Sequence, residues 1–158
     1  MKSRLIAIAA LAAATAFVPA VTLAAGDSDS APAATVADAD FEAGKAAIRS
    51  QNWSAAIGHF SKVVARDPQN AGAQNWLGYA NRKSGNLDLA FKHYDEALRL
   101  DPKHRGAHEY IGEAYLMKGD VAKAKEHLAT LDRICFFGCE EYSDLKKAIA
   151  QYEQRTMR

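Results

Sequence analysis

Cys135 and Cys139 are the only cysteines of the chain, and they bracket Phe136, Phe137 and Gly138. Four kinds of chemistry come into question for such a pair. In an oxidising compartment the thiols join as a disulfide. Positions four apart on an undistorted helix are poorly placed to bond, but Gly138 can adopt the loop backbone that brings the sulfurs together. The result would be a staple worth roughly 2 kcal/mol. A redox pair would normally read C-x-x-C at a helix start, and covalent haem attachment needs C-x-x-C-H; the spacing here is neither. A metal site would need further ligands, and His127, eight residues earlier, could approach. The disulfide is the expectation, with redox or metal handling as the alternative.

The five histidines are His59, His93, His104, His108 and His127. His104 and His108 have a spacing that can chelate metal on one helix, but Pro102 places His104 in a turn, so these rings read as exposed or packed between helices. There is no glycine-rich phosphate loop, no G-x-S-x-G and no H-E-x-x-H. No nucleophile is placed beside a base by any motif, so neither an enzyme nor a cofactor is expected.

The elements that must position these residues begin after a distinct N-terminal segment. Lys2 and Arg4 precede an apolar run from Leu5 to Val18, then Pro19 and the small–x–small pattern Thr22-Leu23-Ala24. This is the order of a secretory signal peptide over residues 1–24. The alternative is a retained membrane anchor, but the run is shorter than the roughly 20 residues of a span. A periplasmic or secreted protein is therefore expected. Removing Lys2 and Arg4 from the 20 basic residues leaves 18 against 19 acidic ones, a net charge of −1. That balance excludes a nucleic-acid collector, and no basic run suits a membrane surface. Residues 25–37 hold few large apolar side chains and read as a flexible leader.

From residue 37 onward the chain repeats every 34 residues, as 37–70, 71–104 and 105–138. Gly44, Gly78 and Gly112 share one register position; Ala56, Ala90 and Ala124 share another; Phe60, Tyr94 and Leu128 a third. Glycine inside a helix costs about 1 kcal/mol relative to alanine, so its use at a fixed period points to helices that touch there. Gly85 and Gly119 suit left-handed helix caps. Asp67-Pro68 and Asp101-Pro102 stop helices. The spacing predicts seven helices near 38–49, 53–65, 71–84, 87–99, 106–118, 121–134 and 140–154. On the last, Tyr142, Leu145, Ile149 and Tyr152 form one stripe, as expected of a cap closing the open end of the stack.

The stretch 71–104, with Leu77-Gly78, Ala80, Gly85, Ala90, Tyr94, Ala97-Leu98 and Asp101-Pro102, closely resembles a tetratricopeptide repeat. The resemblance covers residues 37–138 and implies an all-α fold, an α-solenoid of three helix hairpins plus the C-terminal cap helix. It also implies a concave face lined by the first helix of each hairpin. Helical spacing puts Phe41, Lys45, Ile48 and Arg49 on that face, then Asn75, Tyr79, Arg82 and Lys83, then Glu109, Glu113, Leu116 and Met117. Trp76 and Tyr110 fall at its edge. Lys45, Arg49, Arg82 and Lys83 would make a basic end, and Glu109 and Glu113 an acidic one. The other possibility is a solvated charged face with Trp76, Tyr79 and Tyr110 packed between repeats.

Some repeat proteins of this kind grip a C-terminal carboxylate with Lys, Asn and Arg. Here those positions carry Phe41, Lys45, Trp76, Gly106 and Tyr110, and only Lys45 fits. The expected function is an exported scaffold that binds a protein or peptide segment, for example in cell-envelope assembly. Self-association into a homo-oligomer is the alternative.

Overall fold

The computed structural model describes residues 33–157. Seven α-helices run α1 Ala33–Arg49, α2 Trp53–Arg66, α3 Ala71–Lys83, α4 Leu87–Leu100, α5 Arg105–Met117, α6 Val121–Ile134 and α7 Glu140–Thr156, with no strand among the described residues. They form three hairpins, α1/α2, α3/α4 and α5/α6, with α7 packed on both α5 and α6. The architecture is the expected all-α solenoid. The proposed signal peptide (1–24) and most of the proposed leader lie outside the described residues. The leader's last part does not: α1 starts at Ala33, five residues before the expected boundary, where Ala33, Ala34 and Ala37 all favour helix. Among the described residues no helix is long and apolar enough to cross a membrane.

Local chemistry repeats with the period. The Asn52, Asn70 and Asp120 side chains accept hydrogen bonds from backbone N–H groups three residues on, capping α2, α3 and α6. His104 does the same for α5 through Nδ1. Each first helix ends in one arrangement: the N–H groups of Asn52, Asn86 and Asp120 donate to the carbonyls of Ala47, Asn81 and Tyr115. The residue before each donor is left-handed, Gly85 at φ +89° and Gly119 at +81°. In the first hairpin Gln51 takes that position at φ +57°, at a cost of about 1 kcal/mol that a glycine would not incur.

The glycines inside the first helices mark close approach, as their spacing implies, though the third meets a different helix. A Cβ on Gly44 would lie 2.7 Å from the Phe60 ring, and one on Gly78 would lie 2.6 Å from Tyr94 and 3.2 Å from the Ala90 carbonyl. Both rings are fully buried, and so are Ala56, Ala90 and Ala124. At Gly112 the atoms nearest the hollow do not come from Leu128, the register counterpart of Phe60 and Tyr94. Leu145 of α7 fills it, 2.7 Å from where a Cβ would be. A leucine on α6 is shorter than the Phe or Tyr of the other hairpins, and Leu128 stays half-buried. Helix α7 therefore supplies part of the third hairpin's core, with Leu145 and Ile149 buried and Tyr142 and Tyr152 packed beside them.

Glycines inside helices should thus respond in opposite directions. Gly78→Leu should lose about 3 kcal/mol or more, because Tyr94 and backbone block any side chain. Gly58 has nothing within 4 Å of its would-be Cβ, and lies mid-helix on an exposed face. Gly58→Ala should gain about 0.5–1 kcal/mol. Thermal unfolding of both variants checks the pair, and equal effects would contradict the packing.

Candidate functional site

The backbones of α1, α3, α5 and α7 approach one another in turn, whereas those of α2, α4 and α6 do not. The side on which helices converge is the inner side of the curve, so the first helices line it. Helix α7 takes the place a fourth first helix would occupy, and it extends this face rather than only closing the stack.

The residues expected on the inner face separate by depth. Lys83 and Arg49 are exposed, and Lys45 and Tyr79 are partly so. Lys83 Nζ sits 5.7 Å from the Trp53 ring and 6.0 Å from Tyr79, and Lys45 pairs with Glu42 at 3.0 Å. Phe41 and Ile48 pack against the first hairpin's core, Phe41 edge-on to Phe60 at 5.5 Å. Asn75, Arg82, Glu109 and Leu116 are buried, not displayed. Helical spacing gives the direction of a side chain but not what the next helix lays over it.

Arg82 is the main correction to the expected basic end. It is 8% exposed, and its guanidinium lies 2.6 Å from a Glu113 carboxylate oxygen, joining α3 to α5. The same group stacks over Tyr79 at 5.3 Å and Tyr110 at 5.7 Å, and Nε donates to the Tyr94 hydroxyl at 3.4 Å. Reversing this charge would face two carboxylates in a mostly dry site, at about 3 kcal/mol or more. Arg82 is therefore structural, while Lys83 remains free to meet a partner. Around Arg82 the rings form one continuous platform: Trp76–Tyr79 at 5.7 Å, Tyr79–Tyr110 at 4.8 Å and Trp76–Tyr110 at 6.2 Å. The rings do pack between repeats, yet Trp53, Trp76, Tyr79 and Tyr110 keep partly uncovered faces.

Beyond the platform lies a cavity of about 280 Å³ between α3, α5 and α7. Asn75, Trp76, Gly106, Glu109, Tyr110, Glu140, Glu141 and Asp144 line it. Four of these residues are acids, so the cavity favours a cation over a carboxylate. Burial pushes the Glu109 carboxyl up to about 8; Glu113, Asp144 and Glu141 add to the rise and Arg82 opposes it. Of the two acids expected on the inner face, Glu109 borders this cavity and Glu113 pairs with Arg82 instead, while the α7 acids were not expected. Their signal is a cluster, Glu140, Glu141 and Asp144, on the helix read only as a cap.

Away from the inner face, a polar bridge recurs in each hairpin. Asp40 meets His59 at 3.1 Å, Gln74 meets His93 at 2.9 Å, and His108 meets His127 at 2.9 Å. Three of the histidines fall at 59, 93 and 127, on the 34-residue period, and that regularity marks them as hairpin clasps. His108 Nε2 faces the Pro102 carbonyl at 3.1 Å and must donate to it. His108 Nδ1 then accepts, and His127 donates from Nδ1. Burial keeps the pair neutral, with His127 held down to about 4. Cys135 and Cys139 are joined in a disulfide, with Gly138 at φ +83° as expected. The loop they close leaves Phe136 86% and Phe137 97% exposed.

Two family profiles described as tetratricopeptide repeat match residues 41–105 and 81–149. The chain belongs to the tetratricopeptide repeat family. Its fold is shared with the TPR2B domain of yeast Sti1, solved in complex with pHsp70, at TM-score 0.69 and 19% identity over 77% of this chain and 98% of that one. It is also shared with the Yersinia enterocolitica type III secretion translocator chaperone SycD, at TM-score 0.70 and 17% identity over 78% and 96%. A Thermobaculum terrenum O-GlcNAc transferase shares it at TM-score 0.67 and 24% identity, but there the match covers 73% of this chain and only 22% of the enzyme. No curated protein sequence matches at a significant level. As in repeat arrays generally, each hairpin here contacts its neighbours and the continuous inner surface is what the stacking creates.

Glu109 gives this tetratricopeptide repeat a definite pH response. Its folded value is raised above the ordinary 4.5, so the folded state holds the extra proton between about 4.5 and 8. Stability contributed by this residue should fall as pH rises through that window. Glu109→Gln should remove the dependence and gain about 1 kcal/mol at pH above 8, a figure reduced for the solvent that reaches the cavity. Denaturant unfolding across pH checks this, and a variant less stable than the parent at high pH would contradict it.

Proposed function

We propose that this tetratricopeptide repeat protein is an exported adaptor that holds a segment of another protein along its inner face. The observation that carries the reading is the arrangement on that face. A platform of half-uncovered rings lies between exposed cations at Lys83 and Arg49 and an acidic cavity beside α7. Aromatic side chains supply much contact area at little entropic cost, which suits peptide recognition. The Sti1 domain of the same fold was solved in complex with pHsp70. The acidic cavity here disfavours an acidic chain end as the ligand. Binding rather than catalysis is the expected activity, because the inner face offers rings, carboxylates and cations without a hydroxyl or thiol nucleophile held by a base.

Export is the second half of the proposal. The signal-like residues 1–24 support it, and the Cys135–Cys139 disulfide suits an oxidising periplasm or exterior. Chemical crosslinking in the producing cell, read by mass spectrometry, tests both halves. The recovered protein should begin near Ala25, and a partner captured by the parent should be lost with Arg49→Glu/Lys83→Glu. Both side chains are exposed, so that variant should unfold at the parent's temperature. Capture that is indifferent to the double variant would remove the inner face from the account. Only self-crosslinks would favour an oligomeric module instead.

A further inference from the structure

The cavity between α3, α5 and α7 has a chemistry of its own. Four carboxyl groups border it, Glu109 from α5 and Glu140, Glu141 and Asp144 from α7. A ring of acids alone would be a solvated surface. Asn75 makes this one different. It borders the cavity from α3, is 3% exposed, and its Oδ1 has no hydrogen-bond partner. A buried acceptor without a donor is costly, and it marks a place where a donor is missing. Gly106 also borders the cavity, and a Cβ there would come within 3.3 Å of Asn75 Nδ2 and crowd it.

The missing group can be specified by its chemistry. It must donate hydrogen bonds to an amide oxygen and carry positive charge among carboxylates. The rings of Trp76 and Tyr110 also border the cavity, and both attract a cation. Two cations of the chain stand near it: Arg82 is held by Glu113, and Arg105 reaches one bordering acid, Glu141, at 3.8 Å. Among the described residues no three acids, histidines or cysteines converge as metal ligands, so a point ion is a poor fit and an extended cation a good one. The volume, about 280 Å³, is below the about 300–1,000 Å³ of small-molecule sites and suits a single long side chain.

We propose that this cavity is the anchor subsite of the inner face and takes one cationic side chain, arginine or lysine, of the bound segment. The inference rests on the inner face being the binding surface. It adds polarity to the groove: the partner lays its basic anchor at the α7 end and acidic or neutral residues toward Lys83 and Arg49. It also links binding to pH. Glu109 faces Glu113 on its own helix, Glu141 and Asp144 on α7 and Arg82 on α3, and is largely protonated at neutral pH when the cavity is empty. An incoming cation favours its ionised form, so affinity should rise from about pH 6 to about pH 9.

The test is a ¹⁵N NMR titration of the purified protein with a capped pentapeptide holding one arginine among glycines. The same peptide with citrulline, which is isosteric and uncharged, is the control, and calcium chloride is a third arm. The proposal expects saturable shifts confined to the amides around Asn75, Gly106 and Asp144. Citrulline should bind at least about tenfold more weakly. Glu109→Gln/Asp144→Asn should abolish the response while keeping a folded spectrum, and the arginine affinity should climb with pH. Equal binding of citrulline, no localised saturation, or preferential calcium binding at the same amides would each overturn the anchor. Partner capture that still depends on Arg49 and Lys83 would then leave the inner face standing without it. Loss of that dependence, with the arginine peptide still seated, would instead overturn the groove and keep the cavity.

Discussion

Two aromatic rings seated on backbone that has no side chain set the geometry from which the rest follows. Phe60 lies against Gly44 and Tyr94 against Gly78, closer than any Cβ would permit. This contact fixes how near the two helices of a hairpin stand. Repeated at a 34-residue interval, it stacks identical units with the first helices together and the second helices apart. The inner face, the platform of rings on it and the Arg82–Glu113 bridge across it all exist because the hairpins close this tightly. Tyr94 shows the coupling directly. Its ring seats on Gly78 while its hydroxyl accepts from Arg82, so one side chain both closes a hairpin and orients the cation that ties two repeats.

The third hairpin departs from the rule and thereby shapes the candidate site. Leu128 does not reach Gly112, and Leu145 of α7 does. Seating α7 against α5 brings Glu140, Glu141 and Asp144 beside Glu109. The disulfide at the head of α7 occupies the position where the earlier repeats turn at Asp-Pro, and it ties that helix down by a covalent link. The stack thus ends in a helix that completes a core on one side and an acidic cavity on the other. The Asn75 acceptor and the Glu109 carboxyl are costs to the empty protein, unlike the histidine clasps, where each donor has an acceptor. Unsatisfied groups gathered in one cavity are the expected mark of a surface shaped for something other than its own stability.

Much of this was legible in the sequence because the fold is periodic. Gly78, Gly85 and Asp101-Pro102 each have a local physical reason, and helix number, order and ends follow from them. The inner face was legible in direction but not in depth. Lys83 and Arg82 are adjacent in sequence, yet one is exposed and the other buried, because α5 supplies Glu113 and Tyr110 over Arg82 alone. The histidine clasps were within reach, since His59, His93 and His127 keep the period. The Gly112–Leu145 contact and the α7 acids were not. They join residues more than 30 positions apart across a junction with no counterpart in the other repeats.

The proposed binding surface is the inner face of the stack and not the outer one. Placing a photoreactive side chain in turn at Lys83 and at Lys92, which is exposed on α4, tests it most directly. Irradiation in the producing cell should yield the same heterologous adduct from position 83 and none from position 92. An adduct from position 92 with none from position 83 would move the binding surface to the outside of the stack and contradict the account.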